Sequence, residues 1–150
     1  MRYLIIVLAA VFLAACGGDL KTRVISTFPD GTPSTVEYFK WAGDRQIVVK
    51  QVRYYPNGDK QEEGGFLNGE RDGKWTYWHE NGQKWSEGFY KEGVREGKSI
   101  VWYKSGNIQY TGFYTNDQTD GTWIFYDGEG NKIKEVIYAT GEKKSEKDFQ

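Results

Sequence analysis

The sequence predicts an all-β protein, an elongated antiparallel meander of tandem β-hairpins with a 24-residue period folded as a single-layer curled sheet. Three observations predict it. Asp72-Gly73-Lys74-Trp75 recurs as Glu96-Gly97-Lys98-Ser99 and as Asp120-Gly121-Thr122-Trp123, each 24 residues after the last. Gly58, Gly82, Gly106 and Gly130 keep the same step, as do Gly64, Gly88 and Gly112. A fixed period of this length marks a repeat architecture, in which each unit buries surface only against its neighbours. Finally, only Leu20 and Leu67 represent leucine after residue 15, whereas Tyr, Trp, Phe, Val, Ile and Thr abound. That composition suits strands rather than helices.

Residues 1–15 read as a lipoprotein signal peptide. Arg2 is a short positive start, and Tyr3 to Ala15 is an unbroken apolar run too short to span a bilayer as a helix. The run ends in Leu13-Ala14-Ala15-Cys16, which resembles a bacterial lipobox and makes Cys16 the expected lipidation site. Cys16 is the one cysteine, so no internal disulfide forms, and acylation removes a thiol that an oxidising compartment would attack. Several acyl chains, at roughly 0.8 kcal/mol per buried CH₂, hold far better than one. Gly17, rather than an acid, follows the cysteine; the resemblance to lipoproteins of two-membrane bacteria then implies forwarding to the outer membrane rather than the inner, in the cell envelope and facing periplasm or surface. Residues 16–27 are expected to be the lipidated cysteine and a linker.

The repeat domain is expected over residues 28–141. Phe28-Pro29-Asp30-Gly31 opens a degenerate unit with strands near Val36–Trp41 and Gln46–Tyr55. The best copy then runs Lys74-Trp75-Thr76-Tyr77-Trp78-His79, a turn at Asn81-Gly82, and Lys84 to Tyr90. Asn-Gly between aromatic runs is a strong hairpin signal, since both positions of a type I′ turn need positive φ. With Asn81 and Gly82 as the loop, Trp75 faces Gly88, Tyr77 faces Ser86 and Trp78 faces Trp85. The next copy pairs Val101 with Tyr110 and Trp102 with Gln109. The Trp75 indole is expected to lie over Gly88, which has no side chain to resist it. A bulged three-residue turn with Gly82 at positive φ is the alternative and would shift these pairs. Val136-Ile137-Tyr138 closes the sheet, and the charged tail, 142–150, is expected to be solvated and mobile.

Function is narrowed mainly by exclusion. Without residues 1–15 the chain has 135 residues, enough for one domain, with 19 basic and 21 acidic residues; that balance lacks the basic footprint of a nucleic-acid binder. His79 is the sole histidine, so neither a soft-metal ligand set nor a nucleophile–histidine triad is supported. Asp72, Glu96 and Asp120 occupy one turn position in successive copies, which reads as structure rather than a hydrolase's carboxylate pair. The chain is therefore expected to be no enzyme and to need no metal and no cofactor. One constellation stands out: Trp78, Trp102 and Tyr126 share a repeat position, as do Trp75 and Trp123, with Trp85 and Tyr110 in return strands. Their parity puts the two sets on opposite faces of the sheet, where they form either core or an open binding strip for protein or glycan.

Tyr55-Pro56-Asn57-Gly58, Glu87-Gly88-Phe89-Tyr90 and Asp72-Gly73-Lys74-Trp75 resemble the bacterial MORN-repeat variants, short hairpin repeats strung into an antiparallel sheet. The likeness covers roughly residues 50–140. It implies a non-enzymatic protein-binding or scaffolding module. Many bacterial members are labelled antitoxin components, which implies an antitoxin- or immunity-like inhibitor as a second reading; the lipobox departs from a cytoplasmic antitoxin. A glycan-binding or glycan-active envelope protein is the third. Expected partners are the membrane, through Cys16, and another protein.

Overall fold

In the computed structural model, residues 19–149 are described. The expected signal peptide and Cys16 lie outside them. Every regular element among the described residues is a strand: β1 (Lys21–Thr27), β2 (Pro33–Ala42), β3 (Arg45–Tyr54), β4 (Lys60–Leu67), β5 (Glu70–Trp78), β6 (Lys84–Lys91), β7 (Val94–Arg95), β8 (Gly97–Trp102), β9 (Ile108–Thr115), β10 (Gln118–Tyr126), β11 (Lys132–Ala139) and β12 (Glu142–Asp148). They form one open antiparallel sheet in sequence order, with β7 pairing to β6 alongside β8. The tandem-hairpin meander is thus the fold. The sheet also reaches further than expected at both ends. Lys21–Thr27, assigned to the linker, pairs with β2. The charged tail, expected to be mobile, pairs with β11 as far as Asp148. Its alternating charges find cross-strand partners, Lys134 meeting Glu146 at 2.8 Å and Asp148 at 3.5 Å. A charged edge strand also discourages pairing with other chains.

The two ends of the sheet use different turns. Type I′ geometry, with two successive positive φ values, occurs at Asn68-Gly69, Glu92-Gly93, Asn116-Asp117 and Thr140-Gly141. These turns stack: the amides of Gly93, Asp117 and Gly141 donate to the carbonyls of Arg71, Arg95 and Thr119. The Asn81-Gly82 end takes the bulged alternative instead. Gly82 alone has positive φ there, its amide donates to the His79 carbonyl at 2.9 Å, and His79 N–H donates to the Gln83 carbonyl. The same pattern recurs around Gly31, Gly58, Gly106 and Gly130.

This extra loop residue corrects the register near the turn. Trp75↔Gly88 and Tyr77↔Ser86 pair as expected, but Trp78 pairs with Lys84 rather than Trp85. Likewise Val101 pairs with Tyr110, while Trp102 pairs with Ile108 rather than Gln109. A bulge absorbs the difference one residue in from each turn, leaving Trp85 and Gln109 unpaired in the ladder.

The buried positions are Phe39, Val52, Trp75, Val101, Trp123 and Val136, with Glu62 and Thr76. Strand alternation places Trp75, Val101 and Trp123 on one face, here the indole face, and Thr76 on the other. A single layer buries an indole only by laying neighbouring side chains over it. Around Trp75 these are Phe66 and Tyr90, edge-on at 5.4 and 6.2 Å, and the Arg71 guanidinium 3.9 Å from the ring centre.

Candidate functional site

The two buried indoles of this face, Trp75 and Trp123, each have a glycine beneath them. A Cβ built on Gly64 would lie 2.1 Å from the Trp75 ring, and one on Gly112 would lie 2.2 Å from the Trp123 ring. The platform under Trp75 is therefore Gly64, on the preceding strand, and not Gly88 as expected. Both glycines flank Trp75 in register, but the ring leans back toward β4, where Nε1–H donates to the Gly65 carbonyl at 3.1 Å. Trp123 likewise lies between two rings, Tyr114 at 5.2 Å and Tyr138 at 6.0 Å. Its Nε1 is buried without a partner.

Between these two filled units the pattern breaks. The tryptophan position holds Ser99, and nothing lies within 4 Å of a Cβ built on Gly88. The place an indole takes in the units on either side is an open trough of about 380 Å³. Its floor is Ser86, Gly88, Ser99 and Val101; Tyr77, Trp85, Tyr90, Tyr110, Tyr114 and Arg95 wall it. Arg95 is the 24-residue counterpart of Arg71. With no indole beside it, its guanidinium stacks 4.0 Å from the Tyr114 ring centre, and its Nε donates to Asp117 at 3.0 Å. Burial pushes the Tyr77 hydroxyl up to about 12, with Tyr90 adding to the effect. The Tyr110 hydroxyl is raised by burial and then by Tyr114. Both phenols stay protonated at neutral pH and available as donors.

The residues singled out from sequence scatter over this framework. Trp75 and Trp123 are core, 1% and 5% exposed. Trp78, Trp102 and Tyr126 are half-buried on the opposite face, where Lys60 lies over Trp78 and Lys84 over Trp102 at 5.7 and 5.6 Å. Trp85, half exposed, bends toward Tyr77 on the trough side, 6.1 Å between ring centres. The six therefore form no continuous strip, and only Trp85 borders the trough. Tyr110, also in that constellation, is another wall; Tyr77, Tyr90, Tyr114 and Arg95 are not singled out by sequence, although Ser99 departs visibly from the tryptophan series.

The turn acids have structural work. Glu96 and Asp120 accept the backbone N–H groups of Asn116 and Thr140 in the next type I′ turn, at 2.9 and 3.4 Å. His79 occupies the position of Tyr55 and Tyr103, whose hydroxyls donate to the carbonyls of Trp78 and Tyr126 at 2.8 Å. The shorter imidazole makes no such bond, and its Nε2 is buried without a partner. Among the described residues no group of three or more His, Cys, Asp or Glu side chains could hold a metal ion.

An open sheet of stacked hairpin units, with a pocket where one unit departs from the others, defines a repeat-type β-sheet protein. Residues 71–92 and 95–116 each match the MORN repeat variant family, which supports a MORN-repeat protein. No curated protein matches the chain.

Proposed function

We propose that this chain is a non-enzymatic protein-binding or scaffolding module of the bacterial envelope, tethered by acylated Cys16 and engaging another envelope protein through its indole face. The observation that carries the binding role is the trough at Gly88 and Ser99. The units on either side fill this place with their own indoles, Trp75 and Trp123, whereas here tyrosines, Trp85 and an arginine converge on empty space. Aromatic rings and arginine are the groups that dominate protein interfaces. The MORN repeat matches fit a repeat-type module, and Leu13-Ala14-Ala15-Cys16 supports the tether.

Two experiments test the two halves. Cys16→Ser should move the protein from the membrane fraction to the soluble fraction; persistent membrane attachment would refute lipidation. Photo-crosslinking from position 109, at the trough rim, in intact envelopes should give a discrete adduct. That adduct should disappear in Tyr110→Ala; a smear unchanged by the substitution would count against the module.

A further inference from the structure

We infer that the trough between β6, β8 and β9 is a receptor site for a tryptophan side chain presented by another protein, the occupant that the neighbouring repeats supply from their own chain. This deepens the binding-module reading and rests on it. The Trp75 unit shows what the site is shaped to hold; the Trp123 unit shares the glycine platform and two flanking rings but has Thr119 at the arginine position and an unpartnered Nε1. At Trp75 the ring lies on Gly64, is flanked edge-on by Phe66 and Tyr90, is covered by Arg71 and donates to the Gly65 carbonyl. At Ser99 each of these partners is present 24 residues on: Gly88 as the platform, Tyr90 and Tyr114 as the flanks, Arg95 as the cation and the Phe89 carbonyl as the acceptor. That carbonyl accepts one bond, from Glu96 N–H at 2.9 Å, and has a second lone pair. Only the indole is missing.

The chain's own tryptophans do not fill it. Trp85 is a wall of the trough. Trp41, the other half-exposed indole, lies on β2, five strands from β8 along the sheet. Supplied by a second copy it would make a head-to-tail contact, which closes into a ring or runs on as a filament, so that occupant requires self-association of the chain. A foreign tryptophan gains the stacking, the cation–π contact with Arg95 and the N–H bond together, without displacing any ring already in place.

The test uses the full chain in detergent, titrated with N-acetyltryptophanamide and, separately, N-acetylleucinamide, and read by amide NMR shifts. Saturable shifts confined to residues around Gly88 and Ser99 are expected with the indole probe, at least tenfold stronger than with the leucine probe. Ser99→Trp should raise the thermal midpoint and abolish the indole response by filling the site. Gly88→Val, whose side chain enters open space, should abolish the response even if Ser99→Trp folds poorly. Equal response to both probes, or an undiminished response in Gly88→Val, would overturn the inference. So would concentration-dependent self-association removed by Trp41→Ala, which would make a second copy the occupant. If the probe binds as expected but no envelope adduct forms, the module reading fails and the indole site stands. If the adduct forms equally in Gly88→Val, the module stands and the site is elsewhere.

Discussion

Replacing each platform glycine by alanine separates the filled from the unfilled repeats. In Gly64→Ala the new methyl would sit 2.1 to 2.4 Å from three atoms of the Trp75 ring, and in Gly112→Ala 2.2 to 2.7 Å from three atoms of the Trp123 ring. Neither indole can retreat far, because Phe66, Tyr90 and Arg71 enclose the first and Tyr114 and Tyr138 the second. Overpacking of this kind costs about 1–3 kcal/mol. Expelling the ring instead forfeits burial of a large side chain, about 1.5–3 kcal/mol. Whichever relaxation is cheaper, each variant should lose about 2 kcal/mol. In Gly88→Ala the methyl meets nothing within 4 Å. The backbone there is not at positive φ, so restricting the unfolded chain should stabilise by roughly 0.4–1 kcal/mol. Urea unfolding of the three variants, followed by circular dichroism, checks the order. A Gly64→Ala midpoint at or above that of Gly88→Ala would refute the claim that indole-on-glycine packing holds the repeats together.

Acid should release the final strand before the rest of the sheet. Hydrogen bonds from Lys134 and Lys143 draw the Glu146 carboxyl down from 4.5 to about 2. A depressed folded-state carboxylate contributes fully above the unfolded value and is lost as pH falls toward the folded one. Amide exchange in β12 should accordingly accelerate between pH 4.5 and 2 beyond the change in β5; parallel behaviour of the two strands would show that Glu146 does not hold the edge. His79→Tyr should restore the rung made by Tyr55 and Tyr103, a hydroxyl donating to the Trp102 carbonyl, and stabilise by about 0.5–1.5 kcal/mol. A lowered unfolding midpoint would show that the imidazole fits its site better than the phenol does.

The 24-residue spacing already dictated an all-β meander, because strand–turn units repeated at one interval can bury their rings only against the next copy. Glycine and aromatic positions carried that much unaided: Trp75↔Gly88 and Tyr77↔Ser86 follow from counting outward from Asn81-Gly82, and Val101↔Tyr110 from the next copy's Ser105-Gly106. Turn type was not legible. Asn81-Gly82 and Asn68-Gly69 are the same dipeptide, yet the first forms a bulged turn and the second a type I′ turn. Bonds within and around each turn decide between them. Packing across strands also chose which glycine carries each indole, since Gly64 and Gly88 both flank Trp75 and the ring can lean only one way. That lean leaves Gly88 bare beside Ser99. The substitution could be seen in the chain, but the space it opens, and the tyrosines and Arg95 that surround it, come from four different strands and meet only when the sheet has formed.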